Sequence, residues 1–151
     1  VAAPAGLIIW LLANIQISDA SLLSHCAAFL DPFGHLIGLD GVVVMAFILG
    51  FPANEIVIPI MIMAYMATGS ITDLSNLTEL YNLLTANGWT FVTAICFVLF
   101  SLMHFPCATT CLTVRKETKS LKWTAISFLL PTLCGITICF CVSSIAKIFG
   151  F

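Results

Sequence analysis

The run Phe47-Ile48-Leu49-Gly50-Phe51-Pro52-Ala53-Asn54-Glu55-Ile56-Val57-Ile58-Pro59-Ile60-Met61 sets an amide and a carboxylate inside a hydrophobic segment, between helix breakers. In hydrocarbon a charged side chain costs roughly 2.5 to 3.5 kcal/mol on insertion scales, and every backbone group freed by a proline needs another partner. The combination points to a broken membrane helix that carries a transport site. Gly50 suits the end of one half-helix and Pro52 the first turn of the next, so the break exposes carbonyls and N–H groups together. Pro59 lacks the N–H that would bond the Glu55 carbonyl four residues earlier. Glu55 thus offers a carboxylate and a released carbonyl near one point, with Asn54 beside it. That donor set suits a hard or borderline cation, or a proton relay. The plainer reading is a kinked helix whose Glu55 is protonated or bonded to a neighbour; because intramembrane carboxylates mark pathways by default, the functional reading is preferred.

Composition agrees with a membrane setting: 61% of the 151 residues are hydrophobic and 8% charged, too few charges for a solvated polar surface. Asp19, Asp31, Asp40, Asp73 and Glu79 lie in or next to polar connections, and Arg115, Lys116, Glu117, Lys119 and Lys122 crowd together. Glu55 alone sits well inside an apolar run. The net charge of -2 is not informative, and no basic surface suggests nucleic acid. Seven Cys is an odd number and no CxxC occurs, which supports neither a secreted disulfide framework nor a zinc ribbon. The chain opens Val1-Ala2-Ala3-Pro4-Ala5-Gly6 without Met or a basic stretch, and reads as a fragment that begins partway along a helix. With no P-loop, GxSxG or HExxH, an enzyme is not expected of this segment.

Four hydrophobic regions emerge against the roughly 20 residues that a helix needs to cross about 30 Å of hydrocarbon. Val1 to Ile17 reads as the end of a span. Ser18 to Asp40 is mixed, with helical spacing through Leu30, an interruption at Asp31-Pro32 and a short apolar piece to Leu39; an interfacial or re-entrant helix fits it. Val42 to Met66 is the broken region. Trp89 to Val114 is interrupted by Pro106, and Trp123 to about Ile148 contains Pro131. Both Trp residues start apolar runs, as an interfacial belt requires. The loop Arg115 to Lys122 is then cytoplasmic by the positive-inside rule. The organisation expected is a gate-like membrane region over 1–68, a polar connection over 69–87 and a C-terminal membrane region over 88–151. The fold class is an all-α polytopic helical bundle with broken or re-entrant helices.

A second constellation is Met103-His104-Phe105-Pro106-Cys107-Ala108-Thr109-Thr110-Cys111. At about 100° per residue His104, Cys107 and Cys111 fall on one stripe of a helix, which Pro106 kinks. Imidazole suits iron, copper and zinc, whereas thiolate favours softer ions. Alone, three such residues in an apolar helix are more often packing than ligands; beside the break at Glu55 the balance is closer to even. Cys134 and Cys141 share a face with close-packing residues and read as structural. Met61, Met63 and Met66 read as core, and His25 and His35, which flank Asp31, as polar interfacial residues rather than a cation entrance.

Leu36-Ile37-Gly38-Leu39-Asp40-Gly41 followed by Gly50-Phe51-Pro52-Ala53-Asn54-Glu55-Ile56-Val57 resembles the second gate region of the ferrous iron transport protein B family, FeoB. Downstream, Phe105-Pro106-Cys107-Ala108-Thr109-Thr110 and Arg115-Lys116-Glu117-Thr118-Lys119-Ser120-Leu121-Lys122-Trp123 resemble that family's C-terminal pattern. The resemblance implies a multi-pass permease of the bacterial inner membrane that moves Fe²⁺, preceded by a first membrane half and a cytosolic GTPase domain that binds GTP and Mg²⁺. It implies as partners the membrane lipid, those upstream parts, small cytosolic Feo accessory proteins and a homo-oligomer, with no nucleic acid. Cys107 matches the family's Pro-Cys position and Glu55 its acidic gate position, whereas Cys111 and His104 enter from spacing alone. The metal-site expectation is therefore Glu55, Asn54, Cys107, His104 and Cys111, with Gly50, Pro52, Pro59 and Pro106 as gate breaks. The alternatives are a gate-type permease for another solute such as a nucleoside, and a membrane thiol redox protein.

Overall fold

The computed structural model describes residues 7, 9–12, 14–17, 20–66 and 76–149. Within the expected first span, residues 1–6, 8 and 13 lie outside these, as do 69–75 of the polar connection. A two-residue antiparallel pairing of Gln16–Ile17 with Ala20–Ser21 leads into α1, Leu22–Leu36, whose N-cap Ser21 accepts from the Ser24 N–H at 3.2 Å. The interruption expected at Asp31-Pro32 does not occur, because α1 runs through it. Asp31 points its carboxylate forward, to the Gly41 N–H at 3.0 Å and His35 Nε2 at 3.1 Å, and a proline inside a membrane helix is tolerated where neighbours satisfy the freed groups.

A short turn then reverses the chain into α2, Gly41–Leu49, bent 109° from α1. Asp40 starts α2 by accepting from the Val43 N–H at 2.8 Å. The two helices meet backbone to backbone: a Cβ on Gly41 would lie 2.0 Å from the Ala27 carbonyl oxygen. Helix α2 is apolar all round and is wrapped on most sides, with Val43, Ala46 and Phe47 buried together with Ile60, Met61 and Met63 from beyond the break. These residues form the centre of the core.

The break over residues 50–53 is a closed turn, in which the Ala53 N–H donates to the Gly50 carbonyl at 3.0 Å. A 3-10 turn, Asn54–Ile56, and α3, Val57–Tyr65, follow. Two half-helices do flank Gly50. Pro52, however, sits in the turn before the N-cap Ala53 instead of in a first helical turn, whereas Pro59 occupies the first turn of α3, where a missing N–H is least costly.

Helix α4, Leu77–Ala86, is capped by Asn76 and exposes its residues to a large extent. Helices α5, Phe91–Met103, and α6, Ala108–Thr118, share one apolar stretch of 28 residues, broken where the sequence has Pro106. Helix α7, Leu121–Phe149, has 29 residues, about 43 Å at 1.5 Å each, and keeps Pro131 inside it. Both stretches are long and apolar enough to cross a membrane, and the bent α1–α2 pair is a third candidate span if counted as one. The basic loop expected over Arg115–Lys122 is mostly helix: α6 carries Arg115 and Lys116 in its last turn, where cations suit the helix dipole, and left-handed Lys119 returns its N–H to the Arg115 carbonyl. Leu102, Leu130, Leu133 and Ile148 are exposed on the outer faces, as befits lipid or further helices.

Candidate functional site: two helix breaks in contact

The break at Gly50–Ala53 and the break at His104–Cys107 touch. The Ala108 N–H, the first donor of α6, bonds the Phe51 carbonyl at 2.9 Å. That carbonyl belongs to the turn residue between Gly50 and Pro52, so one bond satisfies an orphan donor of one break and an orphan carbonyl of the other. Aromatic rings surround the joint. Phe51 meets Phe105 and Phe128 edge-on at centroid distances of 5.6 and 5.8 Å, and Phe105 stacks on Phe128 at 5.0 Å. Close approach of the α5 end to α7 depends on Gly135, where a Cβ would lie 3.2 Å from both the Met103 Cβ and carbonyl oxygen.

His104 is the residue after α5 and lies among Phe47, Phe100 and Phe105, with centroids at 5.0, 6.1 and 5.3 Å. Its Nδ1 is 2.8 Å from the Ser101 carbonyl oxygen. A carbonyl can only accept, so Nδ1 carries the hydrogen, and in the neutral ring Nε2 keeps its lone pair. That Nε2 is buried and has no hydrogen-bond partner among the described residues. A ring held through Nδ1–H to a backbone carbonyl, with Nε2 open, is the arrangement that metal-binding histidines adopt.

The other expected ligands are distributed around the joint. Cys107 is the N-cap of α6, with Sγ 3.3 Å from Thr110 Oγ1. Cys111, one turn on, directs its thiol to the Pro106 carbonyl at 3.5 Å. The non-helical stretch over residues 104–107 means that His104 and the two cysteines do not share one continuous helical stripe. Asn54 and Glu55 sit exposed on the 3-10 turn, and neither side chain has a hydrogen-bond partner among the described residues. Among the described residues, no three His, Cys, Asp or Glu side chains gather closely enough to hold a metal.

Residues 1–121, which carry both breaks and end at the first residue of α7, match the model of a family named Gate and described as nucleoside recognition. The chain belongs to the Gate family. This Gate chain is similar to a protein named Fe(2+) transporter FeoB from Staphylococcus aureus strain MSSA476, 28% identical over 154 residues, 95% of this chain and 21% of the relative. It is also similar to Fe(2+) transporter FeoB from Leptospira biflexa serovar Patoc, 26% identical over 140 residues, 88% of this chain and 20% of the relative. The chain thus spans about a fifth of the length of these curated relatives. No solved structure matches it.

Two features of this Gate chain join residues that are distant in sequence, and residue spacing gave no sign of them. Tyr65, at the end of α3, donates its hydroxyl to the Asp40 carboxylate and accepts from Trp89 Nε1 at 2.7 Å. Cys96 and Cys139, both fully buried, exchange thiol contacts with each other's carbonyls across α5 and α7, at 3.9 and 3.4 Å. The only available signals were local: Trp89 opening an apolar run, and Asp40-Gly41 as a cap.

Proposed function

We propose that this Gate chain is part of the membrane permease of a GTPase-linked ferrous iron transporter in the bacterial inner membrane, where it helps to form the cation path. The support is twofold: similar proteins bear the name Fe(2+) transporter, and two proline-marked breaks are joined by the Ala108–Phe51 backbone bond with an open imidazole nitrogen beside them. The joint is the observation that carries the reading, since irregular backbone at membrane depth is tolerated only where it is buried in protein or lines a cavity. In this reading His104 Nε2 and the Cys107 thiol are successive contacts of Fe²⁺, with Cys111 next along α6 and Glu55 and Asn54 at the other break. Contacts are brief, because a permeating ion must leave as readily as it enters. Residues 1–68 act as the gate region, 69–87 as the connection and 88–151 as the C-terminal membrane region. An upstream membrane half and a cytosolic GTPase domain using GTP and Mg²⁺ complete the transporter, and Feo accessory proteins and further copies are its partners.

The test is iron uptake by cells carrying the full-length protein with Glu55→Gln or Cys107→Ser, at equal protein abundance. Each is expected to lower uptake about tenfold, equivalent to about 1.4 kcal/mol; wild-type uptake in both removes the site assignment. A gate-type permease for a nucleoside is the second reading, favoured by the family's own description. Competition of uptake by nucleosides, with no competition by divalent cations, would establish it instead.

A further inference from the structure

At the end of the molecule away from the Arg115–Lys122 stretch, the α1–α2 turn, the start of α5 and the end of α7 enclose a cleft of about 480 Å³. Its lining mixes polar and apolar surface and carries both signs of charge: Lys147 from α7 and Asp40 of the turn line it, together with His35, Trp89, Thr90 and Ser143. Lys147 Nζ reaches the His35 carbonyl at 3.3 Å, and the His35 ring is paired with Asp31 at 3.1 Å, so cationic and anionic groups lie close together at this rim. Val92 and Ala146 line this cleft and also a second one. The second is an apolar groove of about 370 Å³ between α5 and α7, lined by Phe91, Ile95, Val142, Ile145 and Phe149.

A cleft lined by side chains of both signs that adjoins an apolar groove, beside a Trp at the start of a membrane helix, matches an amphiphile at the membrane surface. We infer that the two cavities form one binding site for a phosphoethanolamine lipid. The phosphate lies against Lys147 and the hydroxyls of Thr90 and Ser143, the ammonium lies towards Asp40, and an acyl chain crosses the Val92–Ala146 ridge into the groove. Charge complementarity selects the occupant. A head of one sign meets a like charge on one wall, and a primary ammonium donates hydrogen bonds that a quaternary one cannot. The site stands apart from the helix breaks, so it is independent of the ion that the chain handles.

The experiment takes the full-length protein, purified from a membrane extract supplied with equal phosphatidylethanolamine, phosphatidylcholine and phosphatidylglycerol, and weighs the retained lipid by native mass spectrometry. Phosphatidylethanolamine is expected to dominate. Lys147→Gln is expected to cut its retention about fivefold, the worth of one interfacial lysine. Ile145→Trp, at an exposed position that fills the groove without touching the core, is expected to abolish retention, while soluble glycerophosphoethanolamine fails to displace lipid from the wild type. Equal retention of the three lipids, retention unchanged in both variants, or displacement by a nucleoside overturns the inference. So does an upstream segment of the same protein that fills the groove and excludes lipid.

Discussion

At His104 two demands oppose each other. A buried nitrogen without a partner costs about 1–3 kcal/mol, and nothing in the packing requires a nitrogen at Nε2, since Phe47, Phe100 and Phe105 surround the ring. Replacing it by Phe removes that cost, forfeits the Nδ1–Ser101 bond worth about 1 kcal/mol, and keeps the aromatic packing. His104→Phe is therefore expected to leave stability within about 1 kcal/mol of the wild type while lowering iron uptake about tenfold. Thermal melting of the purified protein and uptake at matched abundance check the two halves, and uptake at the wild-type level would take His104 out of the path. The sequence showed His104 as a ligand-capable residue near Cys107, which is a matter of spacing. Its open nitrogen was not legible there, because it arises from α5 ending at Met103 and from which ring atom the Ser101 carbonyl meets.

Among the elements, the prolines separate into two kinds. Pro32 and Pro131 lie inside continuous helices, while Pro106 lies in a break. Each removes the same donor, and the difference is tertiary: α6 begins where Phe51 offers its carbonyl to the Ala108 N–H. Pro131→Ala is thus expected to restore a helical hydrogen bond and raise stability by up to about 3 kcal/mol, with uptake unchanged. Pro106→Ala lets helix propagate through the break, turns Cys107 relative to His104 and pulls Ala108 from Phe51, so uptake is expected to fall although helix content rises. Circular dichroism with uptake separates the two variants; equal effects would mean that the break is not part of the path. At α1–α2 the constraint is a close approach. Gly41→Ala would drive its Cβ into the Ala27 carbonyl, with an expected loss of about 1–3 kcal/mol in denaturation and no gain elsewhere. Broken helices and apolar boundaries were legible from composition, Gly50, Pro52 and the Trp residues. The unbroken course of α1 through Asp31-Pro32 was not, because it depends on Asp31 finding Gly41 ten residues later.

Across the whole molecule, the gate unit of α1 to α3 and the hairpin of α5 to α7 are tied by hydrogen bonds at two levels. One is the Ala108–Phe51 bond at the breaks, and the other is the Asp40–Tyr65–Trp89 chain at the helix ends, where Lys147 of α7 also reaches the His35 carbonyl of α1. Tyr65 stands in the middle of the second tie and bonds both of its other members. Tyr65→Phe leaves an Asp40 oxygen and Trp89 Nε1 without this partner, and a loss of about 1–3 kcal/mol is expected at neutral pH. A double-mutant cycle with Trp89→Phe measures whether the chain acts as one unit. Tyr65 bonds both of the other members, so the losses of the two single variants should not add in the double variant when paired thermal melts are run in one detergent. Losses that add would show that Trp89 and Tyr65 stabilise the two units separately.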